Sequence, residues 1–208
     1  MNSKKKIVII GAGGFGREVF HLLDNNIYKC VGFIDQESCV ANMYAPIIGH
    51  ESNMEQIVAE FKFTHCVIAI GDIKKREKVL NVISEFQFNF PLVNSAINAD
   101  YSPDIGEGSI IYPKVVIMND CKIGKFTLLN SAVTLGHDVV LGNYCNINPG
   151  ANLAGGITVG DNTLIGIGAT IKENVTIGKN VIIGAGSVVL NDIPDDTVAY
   201  GVPARPAE

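Results

Sequence analysis

One histidine–aspartate pair and one glycine-rich turn carry most of the chemistry this sequence offers. His137 is followed directly by Asp138. Imidazole, with an unperturbed pKa of about 6.5, can accept a proton at neutral pH. A neighbouring carboxylate fixes its tautomer and raises its basicity. The pair therefore suits a general base that takes the proton from an attacking nitrogen or oxygen. The remaining histidines suggest less. His21 falls in a predicted helix and His65 beside a predicted strand, both structural or surface positions, and His50 falls in a predicted loop. The five cysteines, Cys30, Cys39, Cys66, Cys121 and Cys145, are odd in number and contain no CxxC pair. That pattern argues against a disulfide framework or a zinc site and for a reducing cytoplasm. Most of them read as small buried hydrophobes.

The glycine turn lies near the start. KIVII (6–10) reads as a buried strand, GAGGFG runs from Gly11 to Gly16, and REVFHLLD opens a helix directly after it. CVGFI (30–34) reads as a second strand and ends at Asp35. Strand, glycine turn, helix and strand with a terminal acid is the order of a nucleotide-binding βαβ unit. Glycines let the backbone approach a phosphate or ribose, and the helix N-terminus favours negative charge. Asp35 would accept from ribose hydroxyls or a base. The competing explanation is that the glycines serve only strand-to-helix packing. Residues 52–61 read as a helix, Cys66 to Asp72 as a third strand carrying Gly71, and 73–86 as a helix with a basic, solvated face. This is half a dinucleotide-binding fold, too small for a whole NAD site plus a substrate domain.

The second half is organised by a period of six. Ile105, Ile111, Ile117, Ile123 and Leu129 begin a series that continues without a break to Val189, and all fifteen positions are Ile, Leu or Val. Gly follows eight of them, among them Gly106, Gly124 and Gly136, and the fourth residue on is mostly small or β-branched, as in Ser109, Thr127 and Thr163. Six matches neither the 3.6 of a helix nor the 2 of a simple strand. It fits a short strand plus a corner, at which Gly and Asn tolerate positive φ. Three sides make an 18-residue coil, so residues 105–194 give five coils, stacked about 24 Å tall at the inter-strand spacing. The repeated aliphatic points inward and forms one continuous core. His137 then stands at a corner, pointing away from that core, and Gly155 stacks beside it one coil later. The expected domains are 1–94 and 95–208.

Composition narrows the function classes. The chain has 208 residues, 47% hydrophobic and 18% charged, enough for a core. A net charge of −5 argues against general nucleic-acid binding. The apolar run at 7–10 is too short for a signal peptide, and no stretch approaches a membrane span. No metal is expected, because the repeat region holds one histidine and zinc needs three or four ligands.

The two halves together resemble a known group. IVIIGAGGFGREV at 7–19, FID at 33–35, AIG at 69–71, LGHDVVLGN at 135–143 and YGVPAR at 200–205 are similar to bacterial nucleotide-sugar acetyltransferases of the sialic-acid O-acetyltransferase-like family. The resemblance spans essentially the whole chain. It implies a Rossmann-like α/β subdomain followed by an all-β, left-handed parallel β-helix of hexapeptide repeats. It also implies a cytoplasmic homotrimer that binds acetyl-CoA at its subunit interfaces and acts in bacterial surface glycan synthesis. The nearest members N-acetylate UDP-4-amino-4,6-dideoxy sugars in bacillosamine synthesis or GDP-perosamine. His137 would be the base and Asp138 its tuning partner. Asn146, Gly155, Ile167 and Ala185 would bind acetyl-CoA, with the Gly155 N–H on the thioester carbonyl and GVPAR near the nucleotide end of CoA. Gly13, Gly14, Phe15, Asp35 and Gly71 would bind the nucleotide sugar. The family often has His in place of Phe15 and Asn146, and Asp in place of Gln36. The first and last departures leave the base, uracil or guanine, open, and Asn146 removes a second titrating group. Competing readings are an O-acetyltransferase of sialic acid or a related sugar, and a non-enzymatic trimerisation scaffold.

Overall fold

The computed structural model describes residues 3–35, 44–96 and 103–207. Gln36 and Cys39 lie outside them. The chain divides into two compact units, Met1–Pro91 and Leu92–Glu208.

The first unit is a four-stranded parallel sheet with helices. Its strands are β1 (Lys5–Ile10), β2 (Tyr28–Ile34), β3 (Ile47–Gly49) and β4 (His65–Ile68), in the order β3-β2-β1-β4. β1 is central, and Ile7 to Ile10 are fully buried, as an uninterrupted aliphatic run in a parallel sheet should be. The helices are α1 (Gly14–Leu22), α2 (Met54–Phe61) and α3 (Ile73–Ile83). α1 begins earlier than the sequence suggests. Gly13 is extended, but its carbonyl already accepts from the Arg17 N–H at 3.1 Å, so Gly14 to Gly16 form the first turn. A short 3-10 turn, Glu51–Asn53, precedes α2. β3 escaped the sequence reading because three residues are too few to show an alternation. β4 is shorter than the expected strand from Cys66 to Asp72. Its pairing with β1 ends at Ile10, where Gly11 turns away with φ +104°, and Ile70 to Asp72 have no strand left to join.

The second unit is a parallel β-helix. Its first face stacks Ile110–Ile111, Leu128–Leu129, Asn146–Ile147, Leu164–Ile165 and Ile182–Ile183. The second stacks Val116–Ile117, Thr134–Leu135, Asn152–Leu153, Thr170–Ile171 and Val188–Val189. The third stacks Asp104–Ile105, Lys122–Ile123, Val140–Leu141, Thr158–Val159 and Thr176–Ile177. Every rung is displaced by 18 residues from the next, for example Thr134 opposite Asn152. Of the fifteen repeated aliphatics only Ile105, on the terminal coil, is not buried. The first face gains Val93–Asn94 at one end and Val198–Gly201 at the other. Ala204–Pro206 then pairs antiparallel with the last of these, leaving a short edge that carries proline.

The corners differ from the expectation in one respect. Positive φ falls three residues after every repeated aliphatic but the last, Val189, for instance at Lys114, Phe126, Asp138 and Tyr144, and not at the glycine that follows it. Those glycines answer to a different constraint. A Cβ at Gly106 would stand 2.5 Å from the Lys125 nitrogen, and one at Gly136 2.6 Å from the Gly155 nitrogen. Adjacent coils approach so closely there that no side chain fits. One corner also buries a polar column without cost. Thr127 Oγ1 donates to the Gly142 carbonyl at 3.0 Å and accepts from the Cys145 N–H at 3.2 Å, and Thr163 repeats the pattern further along the sequence. Each hydroxyl satisfies both roles, as buried polar groups must.

Candidate active site

Each unit carries a candidate site. In the β-helix, His137 sits on the corner between the second and third faces. Backbone bonds to the neighbouring coils hold it on both sides. Its carbonyl accepts from the Gly156 N–H at 2.8 Å, and the Asp138 N–H donates to the Asn119 carbonyl at 3.1 Å. Asp138 has φ 59°, which turns its side chain back toward the ring. His137 Nδ1 and Asp138 Oδ2 are 2.7 Å apart. With the carboxylate ionised, Nδ1 carries the proton and donates it. Nε2 is left with its lone pair, which is the form a general base requires.

That lone pair faces Gly155. A Cβ at Gly155 would lie 2.5 Å from His137 Nε2, so the ring lies directly against the glycine backbone. The Gly155 N–H has no hydrogen-bond partner among the described residues. This distinguishes it from three of its equivalents. The N–H groups of Lys125, Asn143 and Lys179, which hold the same place in their hexapeptides, donate to Asn143, Asp161 and Asp195. A free donor and a free base therefore sit side by side. That pairing can hold a carbonyl oxygen as it gains negative charge while a proton leaves the attacking group. Both His137 and Asp138 are open, at 64% and 60% side-chain exposure.

The other expected acetyl-CoA residues stand elsewhere on the same unit. Ile167 and Ala185 share the corner between the first and second faces, and Ile167 is 59% exposed, a large apolar side chain left uncovered. Asn146 lies within the first face and is only 3% exposed, so little of it faces solvent in the single chain. One six-residue side separates the two corners, at most about 20 Å of chain.

In the first unit one cavity of about 550 Å³ opens at the C-terminal edge of the sheet. Gly13, Gly14, Phe15, Asp35 and Gly71 all line it, so the structure brings the five expected sugar-nucleotide positions together. The glycines divide into two kinds. Gly16 is fixed by packing, since a Cβ there would collide with the Gly11 carbonyl. A Cβ added at Gly13 or Gly71 would meet nothing within 4 Å, and one at Gly14 only the Arg17 guanidinium at 3.9 Å. Internal packing accounts for Gly16 and not for these three, which border open space. Asp35 has a role the sequence did not suggest. Its Oδ2 accepts from the Ala12 N–H at 2.6 Å and so shapes the glycine turn.

Four titratable residues of the lining were missed. His50, read as an uninformative loop residue, caps the 3-10 turn: its Nδ1 accepts from the Ser52 N–H at 3.2 Å, which places the proton on Nε2, 3.0 Å from Glu51 Oε2. Both His50 and Glu51 line the cavity. So do Lys75 and Lys78, which the sequence reading assigned to a solvated helix face. Only knowledge of which way α3 lies could have found them. His21 and His65 make ring contacts, His21 with Tyr44 at 4.4 Å and His65 with Tyr28 at 5.7 Å. Burial and the nearby Lys5 charge lower the pKa of His65. Among the described residues no group of His, Cys, Asp and Glu is arranged to hold a metal, and no helix is long and apolar enough to cross a membrane.

Comparison with known proteins follows both halves. Residues 6–83 match the family described as PglD N-terminal domain, and residues 156–191 match bacterial transferase hexapeptide (six repeats). The perosamine N-acetyltransferase of Caulobacter crescentus, solved as a histidine-to-asparagine variant with CoA and GDP-perosamine, is 31% identical, with 99% of this chain and 98% of that one covered and a TM-score of 0.91. The chain belongs to the hexapeptide-repeat sugar acetyltransferases. Two further solved structures are similar over their whole length. The acetyltransferase domain of PglB from Neisseria gonorrhoeae FA1090 is 30% identical, covering 98% of this chain and 100% of that one, with a TM-score of 0.87. WeeI from Acinetobacter baumannii AYE is 29% identical, covering 98% and 100%, with a TM-score of 0.83. No curated protein sequence matches the chain. The PglB domain has also been solved with acetyl coenzyme A. The residues of this acetyltransferase fit such a co-substrate: the unpaired Gly155 N–H, the absence of any side chain between it and His137, and the uncovered Ile167 are all open to a thioester and its pantetheine arm.

Proposed function

We propose that this chain transfers the acetyl group of acetyl-CoA to the amino group of a nucleotide-linked amino-dideoxy sugar, a UDP-4-amino-4,6-dideoxyhexose or GDP-perosamine, in bacterial surface glycan synthesis. The observation that carries the reading is the pairing of the His137 Nε2 lone pair with the free Gly155 N–H. His137 takes the proton from the amine nitrogen as the C–N bond forms. Asp138, already bonded to Nδ1, stabilises the resulting imidazolium. The Gly155 N–H holds the carbonyl oxygen while it carries negative charge. His137 then returns the proton to the departing CoA sulfur, so the products are an amide and a free thiol. A neutral amine is already a good nucleophile, so positioning supplies much of the rate.

Asn146, Ile167 and Ala185 are assigned to acetyl-CoA, and Gly13, Gly14, Phe15, Asp35 and Gly71 to the nucleotide sugar. The separation of the Ile167 corner from the His137 corner supports a homotrimer, in which the corner of one copy meets that of the next and completes the site. The described cysteines are all free, which agrees with a cytoplasmic location. The test is thiol release from acetyl-CoA against UDP- and GDP-linked 4-amino-4,6-dideoxyhexoses, the free sugars and sialic acid. Release only with a nucleotide-linked amine is the expected result and identifies the base. Release with sialic acid and not with the amines would move the enzyme to O-acetylation.

A further inference from the structure

The cavity of the first unit holds two ammonium groups without direct partners, beside two carboxylates that are bonded elsewhere. Lys75 and Lys78 stand one turn apart on α3, hence on one face of it, and both line the cavity. Neither ammonium has an ion-pair or hydrogen-bond partner among the described residues. The two carboxylates of the cavity are already engaged. Asp35 Oδ2 accepts from the Ala12 N–H, and Glu51 Oε2 from His50 Nε2. α3 is held firmly where the lysines begin, because Asp72 Oδ1 accepts from the Lys75 N–H at 2.8 Å. The N-terminal ends of α1 and α3 border the same space, at Gly13 and Gly14 and at Gly71. The positive ends of the helix dipoles add to the two ammonium charges there. The matching ligand carries two negative charges on oxygens and is narrow enough to pass glycine backbone.

We propose that Lys75 and Lys78 bind the diphosphate of the nucleotide sugar and so fix its position along the cavity. This rests on the reading of the cavity as a nucleotide site. A basic helix face that merely keeps the surface soluble would give Lys74 the same standing. Lys74 is equally exposed on α3 but does not line the cavity, which makes it the internal control.

The experiment is calorimetric titration of the full chain with UDP, GDP and the corresponding nucleosides, using Lys75→Met, Lys78→Met, the double variant and Lys74→Met. Exposed charge pairs are modest, so each cavity lysine is expected to weaken binding of the preferred nucleoside diphosphate about fivefold, and the pair about 25-fold. Lys74→Met stays within about twofold on the same grounds. The nucleoside, which lacks phosphate, binds wild type and double variant alike. Added salt weakens diphosphate binding to wild type more than to the double variant, since screening acts on the charges removed. Lys78→Arg, which keeps the charge, restores most of the affinity, and thermal melts check that every variant is folded. A double variant that binds the diphosphate as tightly as wild type overturns the proposal while the nucleotide site stands. A wild type that binds neither UDP nor GDP overturns the nucleotide site itself, and the proposal with it.

Discussion

Replacing Gly155 by alanine tests the catalytic geometry without removing any polar group. The added methyl would stand 2.5 Å from His137 Nε2, 2.7 Å from Cε1 and 3.0 Å from Cδ2. Carbon and nitrogen in ordinary contact sit about 3.5–4.0 Å apart, so the ring must retreat by about 1 Å or more. It can do so, because the side chain is 64% exposed. The retreat separates the base from the Gly155 N–H and strains its bond to Asp138. A misplacement of that size costs about a hundredfold in rate. Stability should be almost untouched. Gly155 is not among the positive-φ residues, so alanine fits the backbone, and such exchanges change stability by under about 1 kcal/mol and often raise it.

The assay is CoA-thiol release under saturating acetyl-CoA, run beside circular dichroism melts of the same preparations. Expected is a rate lowered about a hundredfold with an unchanged melting curve. The double variant with His137→Ala should lose little more than either single change, because the two act on one event. A Gly155→Ala protein that keeps its rate within about threefold, with His137 still required, would refute the reasoning. The acetyl group would then be handled on another face of the corner, and the free N–H would be incidental.

Other perturbations separate the remaining roles. His137→Ala should lower turnover at least about a hundredfold, the scale of a lost general base, and full activity from a folded protein would remove it from the mechanism. Asp138→Asn should cost less but shift the pH–rate profile, and an unchanged profile would leave Asp138 no tuning role. Gly16→Ala should destabilise the first unit by about 1–3 kcal/mol or more, since its methyl meets the Gly11 carbonyl, which cannot yield as a side-chain tip could. Gly13→Ala should melt as wild type does but bind nucleotide weakly, and a variant that binds normally would show that the turn does not touch the ligand. Burial raises the thiol pKa of Cys30 to about 11 and lifts those of Cys66 and Cys121 as well. The reactive thiolate forms only as pH climbs toward those values, so at about pH 8 roughly one Cys30 in a thousand is ionised. A disulfide-exchange reagent should label these three slowly in the folded protein and quickly in urea, with mass spectrometry assigning the sites. Rapid native labelling of any of them would contradict the burial.

How much of this was legible in sequence depended on whether one residue's neighbours could be counted along the chain. In the β-helix they could. A period of 18 places Gly155 beside His137 as surely as i+4 places one helical residue over another, and the structure puts the two in contact. The reason for the repeat's glycines was not legible, because a residue chosen for positive φ and one chosen for close approach are written with the same letter. Only the stacked coils show that Gly136 answers to the Gly155 nitrogen while Asp138 takes the left-handed corner. In the first unit, counting fails. β3 lies beyond a connection of no fixed length, and the orientation of α3 follows from packing, so His50, Glu51, Lys75 and Lys78 reach the cavity from positions that no spacing rule links to Gly13 or Asp35. The same contrast explains which of the two candidate sites is the more constrained. The β-helix site is built from residues one coil apart on a rigid ladder, where a single methyl is felt. The cavity of the first unit is assembled from four strand ends and two helix starts, where a lining residue can be exchanged with the sheet beneath it left intact.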